Sequence, residues 1–183
     1  MRYDIIIIGG GLAGVTAGLK LHKAGKCCLI ISEGLSLHKT PKDEYIAAGG
    51  AFLPGDSVIS GEWDGNTLKS VKTRNLEETH LEADNFILAS GKFFSRGLVA
   101  TMDAVIEPVF GCDVEYDLCR DNWYDDDFYA VQPFERFGVK TTEDGRVLIR
   151  GVPAANLWAA GEILAGETDI EQSALKIVSI LVK

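Results

Sequence analysis

A glycine-rich turn near the start of the chain constrains its fold more than any other feature. Residues 3–8, Tyr-Asp-Ile-Ile-Ile-Ile, form an apolar run typical of a buried strand, and a helix-like stretch follows. Between them the glycines are spaced Gly9-x-Gly11-x-x-Gly14. In such a strand–turn–helix the first glycine makes the tight turn, the second lets phosphates approach the backbone, and the third lets the helix pack on its strand. The sequence therefore predicts a dinucleotide-binding βαβ unit over residues 3–34.

The predicted phosphate contacts come from the backbone of this turn. The N-terminus of a helix presents unpaired N–H groups and the positive end of the helix dipole, and both favour an anion. We therefore expect the cofactor to contact five residues: Gly9, Gly11, Leu12, Ala13 and Gly14.

The end of the second predicted strand supplies the candidate ribose contacts. In dinucleotide-binding folds a carboxylate about 20 residues after the glycines binds the adenosine ribose. Glu33 lies at that distance, although Ser32 occupies the usual acidic position when the register is taken strictly. Both residues are candidate cofactor contacts, and the sequence leaves open whether Glu33 contacts ribose or solvent.

The remaining sequence predicts further strands around this unit. Residues 35–50 are polar, contain Pro41 and are typical of an irregular linker. Residues 51–82 alternate around an Asp64-Gly65 turn, which predicts a β-meander. The apolar run 85–91 is typical of a buried parallel strand returning to the main sheet.

The second half of the chain is less regular. Residues 92–150 form an extension with little pattern, and residues 156–183 predict a final strand followed by an amphipathic helix. We predict one α/β domain over residues 1–183, an FAD/NAD(P)-binding Rossmann-like fold whose parallel sheet carries an antiparallel β-meander.

Composition and charge exclude several function classes. The net charge of −9 argues against nucleic acid as a partner, but not against a dinucleotide held by backbone dipoles. Runs of apolar residues are too short to span a membrane, and the first strand begins too near Met1 for a targeting peptide, so we expect a cytoplasmic protein. The four cysteines lack metal-ligand spacing, so no metal site is predicted.

Two later motifs repeat the pattern of a strand ending in glycine. They are Ala89-Ser90-Gly91 and Gly161-Glu162. With the N-terminal turn and the meander, they resemble flavoproteins that have a glutathione-reductase type of FAD-binding domain. The resemblance implies that these five residues contact the cofactor, FAD, and that the Glu162 carboxylate bonds to the ribityl chain. An NAD(P)-dependent dehydrogenase is an alternative, although it explains neither the meander nor Gly161-Glu162.

Longer stretches resemble the family formed by the B subunit of anaerobic glycerol-3-phosphate dehydrogenase. They are residues 1–4, 49–56, 88–95 and 132–139. This resemblance implies a flavin subunit that works with a catalytic FAD subunit and an iron–sulfur subunit. Together they oxidise glycerol 3-phosphate, the small-molecule substrate, to dihydroxyacetone phosphate and pass electrons to membrane quinone. The flavin subunit would lie at the inner face of the membrane through its partners. FMN is usually assigned to it, but the glycine fingerprint favours FAD.

The chain departs from that family in two places. Family members are much longer, and the missing part falls at residues 38–48. The glycine-rich turn that precedes the last helix in the family is absent from residues 165–170. A truncated, non-catalytic subunit that docks on a catalytic partner is therefore an alternative function.

The sequence nominates no catalytic residue. The three histidines, His22, His38 and His80, lie beside no motif. Arg96 and Arg136 are open to a phosphate or partner contact, although a surface role is favoured for both. An aromatic contact surface for a partner is predicted from Phe93, Phe94, Trp123 and Phe134.

Overall fold

A mixed β-sheet, covered on both faces, organises the chain. The computed structural model describes residues 2–34, 36–76 and 79–183. The strands are β1 (Arg2–Ile8), β2 (Cys28–Ser32), β3 (Ala51–Pro54), β4 (Val58–Asp64), β5 (Thr67–Thr73), β6 (Leu81–Leu88), β7 (Val99–Ala100), β8 (Val105–Ile106), β9 (Val114–Glu115), β10 (Gly138–Val139), β11 (Arg146–Ile149) and β12 (Val152–Ala159). The helices are α1 (Leu12–Lys23), α2 (Lys39–Ala47) and α3 (Ile170–Leu181).

Five parallel strands form the centre of the sheet in the order β12-β6-β1-β2-β3, and β11 adds antiparallel to β12. Successive isoleucines of β1 point to opposite faces, and both faces are covered. Ile5 and Ile7 pack beneath α1 and α3, whereas Ile6 and Ile8 pack on the side of the meander and the extension. Burial on both faces explains the unbroken apolar run. The predicted Rossmann-like fold class is confirmed.

The β-meander consists of β4, β5 and the first half of β6. β4 pairs antiparallel with β5, and β5 pairs with β6 through Val71 opposite Leu81. We expected the meander to end near residue 82 and a separate strand to begin at residue 85, but β6 runs unbroken through both segments. The strand alternates exposure at Leu81–Asp84 and is buried at Phe86–Leu88, where it pairs with β1 on one side and with β12 on the other. β3 is likewise a parallel neighbour of β2 rather than a meander strand.

The segment predicted as an irregular linker contains a helix, so that expectation is wrong. α2 spans Lys39–Ala47, and Pro41 lies in its first turn, where proline is tolerated because no helical N–H is lost. Tyr45 anchors this helix and is fully buried. Its hydroxyl donates to the carbonyl oxygens of Cys28 at 2.7 Å and Ala51 at 3.0 Å, so it ties α2 to β2 and β3.

The extension over residues 92–150 packs onto the meander side of the sheet. Short strand pairs, β7 with β8 and β9 with β10, punctuate it. Trp123 is only 7% exposed and joins this core, with its ring edge-on to Phe137. Its inclusion in a partner-facing aromatic surface was therefore wrong, whereas Phe94 is fully exposed.

We predict that Tyr45→Phe lowers the free energy of unfolding by about 1–2 kcal/mol, since two carbonyl oxygens lose their buried donor. Tyr129→Phe is the matched control, because that ring is 93% exposed and its hydroxyl change should cost less than about 0.5 kcal/mol. Urea unfolding monitored by circular dichroism measures both. Equal midpoints for the two variants would contradict the anchoring role of Tyr45.

Candidate functional site

The glycine turn after β1 has the shape that the sequence predicts. Gly9 has φ +116°, and a Cβ there would lie 2.1 Å from the carbonyl oxygen of Ala89. A Cβ at Gly14 would lie 1.9 Å from the carbonyl oxygen of Gly9. A Cβ at Gly11 would meet nothing within 4 Å. Packing therefore requires the first and third glycines, whereas the second borders open space.

The N-terminus of α1 faces this open space without a side chain to satisfy it. Among the described residues no side chain caps the helix, and its first turn carries no acidic residue. The first helical hydrogen bond that closes over the turn runs from Val15 N to Gly11 O at 3.0 Å. The N–H groups of Leu12 and Ala13 precede that bond, so they are free to meet an anion.

The ends of β6 and β12 lie beside the same turn. Ala89 N donates to Ile8 O at 2.8 Å, and Ala160 N donates to Leu88 O at 3.0 Å. Gly161 has φ +83°, and a Cβ there would lie 2.6 Å from the Cβ of Ala13. The predicted motifs of β1, β6 and β12, far apart in sequence, therefore meet at the carboxyl edge of the sheet.

Gly91 and Glu162 form the side of the site away from β2. Gly91 has φ +73°, and a Cβ there would lie 3.8 Å from Glu162 Oε2. Lys92 follows Gly91 in the chain, and its ammonium group donates to Glu135 O. Burial lowers the pKa of Lys92, while the negative charges of Glu162 and Glu135 act in the opposite direction. Among the described residues, the buried Ser90 Oγ has no hydrogen-bond partner.

Ser32 and Glu33 form the opposite side, at the end of β2. Ser32 is buried, its hydroxyl donates to Gly34 O at 2.8 Å, and a Cβ at Gly10 would lie 2.6 Å from its Oγ. Glu33 Oε1 lies 3.2 Å from Arg74 Nη2 and 3.6 Å from Arg96 Nη1. The Glu33 carboxylate is thus paired with two arginines beside the predicted ribose position.

Several residues of this edge carried no sequence signal. Gly10 closes the turn against Ser32, and Ser173 of α3 accepts a hydrogen bond from Gly161 N at 2.8 Å. Arg74 reaches the site from the end of β5. Only their position in the folded chain shows their role, because each contact joins segments remote in sequence.

The other polar candidates have structural partners elsewhere. His22 bonds to Ala48 O at 2.8 Å, and His80 lies 2.8 Å from Glu62 in the meander. His38 is the residue before α2. Within the part of the chain that the structure describes, no group of three His, Cys, Asp or Glu side chains could hold a metal ion.

A cavity of about 400 Å³ lies between α3 and the segment of β10 and β11, and Ser173 borders both this cavity and the glycine edge. Its lining includes Lys140, Glu167, Ser173, Lys176 and Ile177. It shares none of the predicted cofactor residues. The glycine edge is therefore the candidate site on the strength of its backbone geometry.

Among the described residues, the helices are too short or too polar to cross a bilayer.

One family of known sequences matches most of the chain. The family described as FAD binding domain matches residues 4–58 and 42–173 of the chain. These ranges contain all the predicted cofactor residues.

Curated relatives match the chain over most of its length. The B subunit of anaerobic glycerol-3-phosphate dehydrogenase from Vibrio vulnificus strain YJ016 is 39% identical over 136 residues, covering 73% of this chain and 31% of the relative. The protein of the same name from Aliivibrio fischeri strain MJ11 is 37% identical over 149 residues, covering 75% and 33%. The chain thus spans about a third of the length of these relatives, and the predicted resemblance is confirmed.

Solved structures show the same fold at low sequence identity. A thioredoxin reductase from Gloeobacter violaceus superimposes with a TM-score of 0.58 at 10% identity, covering 99% of this chain and 94% of that one. The Thermoplasma acidophilum thioredoxin reductase gives 0.53 at 13% identity, covering 100% and 99%.

We predict that Gly11→Ala weakens FAD binding about tenfold or more without changing thermal stability. The φ of Gly11 is −72°, and open space surrounds its Cα, so the methyl group fits the fold but occupies the phosphate approach. Gly14→Ala is the contrasting variant, because its methyl group would overlap Gly9 O and destabilise the protein by about 1–3 kcal/mol. Fluorescence titration and thermal melts measure both effects. Unchanged affinity in Gly11→Ala would show that the phosphates do not bind at this turn.

Proposed function

Because the chain belongs to the FAD binding domain family, we propose that it binds FAD along the carboxyl edge of its sheet, with the diphosphate at the start of α1. The observation that carries this proposal is the open space around Gly11 between two tightly packed glycines. The N–H groups of Leu12 and Ala13 would hold the diphosphate, helped by the positive end of the α1 dipole.

The remaining contacts would divide between the two halves of FAD. Ser32 and Glu33 lie at the end of β2, on the side of the adenosine ribose. Ala89, Ser90, Gly91, Gly161 and Glu162 lie at the ends of β6 and β12, on the side of the flavin. FMN is the alternative cofactor, but it lacks the bridging diphosphate and adenosine that the glycine turn and the end of β2 would recognise.

Glu162 is the proposed contact to the hydroxyl groups of the flavin ribityl chain. Its carboxylate lies beside Gly91, where added bulk would meet it at 3.8 Å. A carboxylate accepts hydrogen bonds from hydroxyl groups, which suits a polyol chain. Gly161, with φ +83°, sets the direction in which the backbone turns towards this position.

We further propose that the chain acts in a dehydrogenase that oxidises glycerol 3-phosphate to dihydroxyacetone phosphate and delivers electrons to a quinone. The relatives named as the B subunit of anaerobic glycerol-3-phosphate dehydrogenase, at 37–39% identity, support this proposal. Bound FAD would supply the electron transfer, while the chain binds and orients the flavin and tunes its surroundings. Its partners would be a catalytic FAD subunit and an iron–sulfur subunit, which would hold it at the inner face of the membrane.

A non-catalytic docking subunit is the second candidate function. The chain spans about a third of the length of its relatives, and residues 164–169 lead into α3 without a glycine-rich turn. No described histidine lies among the glycine-edge contacts, where a base for alcohol oxidation would be needed. An NAD(P)-dependent dehydrogenase is a third candidate, because an arginine beside the ribose suits a 2′-phosphate and two are present here.

Titration with FAD, FMN, NADH and NADPH under the same conditions tests these functions. FAD should bind most tightly and acquire a perturbed visible spectrum. Glycerol 3-phosphate should bleach the bound flavin when the partner subunits are present, if the chain takes part in the reaction. FAD binding without bleaching in the reconstituted complex would favour the docking subunit, and absence of FAD binding would contradict the proposed function.

We predict that Glu162→Ala weakens FAD and FMN binding to a similar extent, about tenfold, because both cofactors contain the ribityl chain. Glu143→Ala is the control, since that exposed carboxylate lies in the turn between β10 and β11 and removes the same charge. Equilibrium dialysis of the two flavins measures the ratio. Loss of FAD affinity alone would place Glu162 on the adenosine half and contradict its proposed role.

A further inference from the structure

A surplus of positive charge lies beside the glycine turn of this acidic chain. Oε1 of Glu33 lies 3.2 Å from Arg74 and 3.6 Å from Arg96. One carboxylate therefore faces two guanidinium groups, which leaves one positive charge unbalanced within this cluster. The protein carries a net charge of −9, so the cluster runs against its overall composition. A local cation in an acidic protein is suited to an anionic ligand.

The Arg96–Glu33 pair crosses the end of β1. In the sheet, β1 lies between β6 and β2. Arg96 belongs to the loop after β6, and Glu33 follows β2. Because neighbouring strands are about 4.8 Å apart, the pair bridges roughly 10 Å over the edge where the glycine turn begins. Arg96 is thus within reach of the phosphate position from the side opposite α1.

The loop that carries Arg96 holds it in an uncommon conformation. Arg96 has φ +61°, in the left-handed region of backbone conformation, which residues other than glycine and asparagine rarely adopt. The loop is fixed by hydrogen bonds from Gly97 N to Lys92 O at 2.9 Å and from Ser95 Oγ to Ser90 O at 2.6 Å. Such strain persists where the surroundings impose it, and it concentrates at ligand sites. The side chain itself is 76% exposed, so the ion pair to Glu33 adds little to stability.

We propose that Arg96 is a diphosphate-binding residue, which leaves Glu33 and pairs with the bridging diphosphate when the dinucleotide occupies the turn. This inference rests on the proposed FAD function. A guanidinium group matches phosphate oxygens with two parallel hydrogen bonds. The backbone amides of α1 supply only partial charges to a dianion, and Arg96 supplies a full one. Arg74 lies closer to Glu33 than Arg96 does, and its backbone N–H donates to Ser57 O at 2.9 Å. Arg74 therefore stays paired with the Glu33 carboxylate.

The test is the affinity of an Arg96→Asn variant for FAD, ADP and adenosine. Asparagine tolerates a positive φ, so the loop keeps its conformation. Arg150→Asn is the matched control, because Arg150 also has a positive φ of 53° and lies in the turn between β11 and β12. We expect Arg96→Asn to weaken FAD and ADP about tenfold, to leave adenosine unchanged, and to reduce the salt dependence of ADP binding. Arg150→Asn should bind all three ligands as the unmodified protein does.

The other outcomes would contradict either the role of Arg96 or the proposed FAD function. Unchanged ADP affinity in Arg96→Asn, or an equal loss in Arg150→Asn, overturns the role of Arg96 while the FAD proposal stands. If the unmodified protein binds neither FAD nor ADP, the proposed function fails and this inference fails with it. Tighter binding of NADPH than of FAD, lost in Arg96→Asn, would assign the arginine to a ribose 2′-phosphate instead. Arg96→Gly, which also suits the positive φ, replaces the first variant if Arg96→Asn does not fold.

Discussion

The close approach of α1 to the end of β1 is the constraint on which the rest of the site depends. Gly14 brings the helix so near to Gly9 that any side chain would overlap a backbone oxygen. The same approach places Ala13 against Gly161, so the first turn of α1 also sets where β12 ends. A small displacement of this helix would move the phosphate amides and separate the three strand ends. The glycines are thus required by packing before any ligand is considered.

The electrostatics of the site follow from this packing. An acidic protein can bind a dianion when the attraction comes from oriented amides rather than from its net charge. Acidic side chains are kept out of the first turn of α1, among the described residues, while Glu33 and Glu162 stand on either side of it. One loop carries two cations near them: Arg96 pairs with Glu33, and the charge of Glu162 acts on Lys92. Carboxylates on both sides suit hydroxyl groups, and the uncapped start of α1 between them suits the proposed phosphates.

Local sequence patterns predicted the parts of the fold that are determined by residues close together in the chain. A strand that ends in glycine is readable in sequence, so the turn at Gly9, the Ser90-Gly91 end and Gly161 were all recognised. α2 was missed because Pro41 and polar composition resemble a linker, whereas the helix is held by Tyr45 reaching β2 and β3. The pairing of Glu33 with Arg74, 41 residues away, depends on how the meander folds back. Periodicity carries no information about such contacts.

Binding a dinucleotide and catalysing a reaction on it require different groups from a protein. The proposed phosphate cradle is made by β1, α1 and the ends of β6 and β12, all within a chain about a third as long as its relatives. Backbone amides and glycine contacts need no further segment to form. A reaction at the flavin would also need a base, a substrate phosphate site and shielding from water. The described contacts at the glycine edge therefore support the proposal of cofactor binding, and they do not by themselves supply these three requirements.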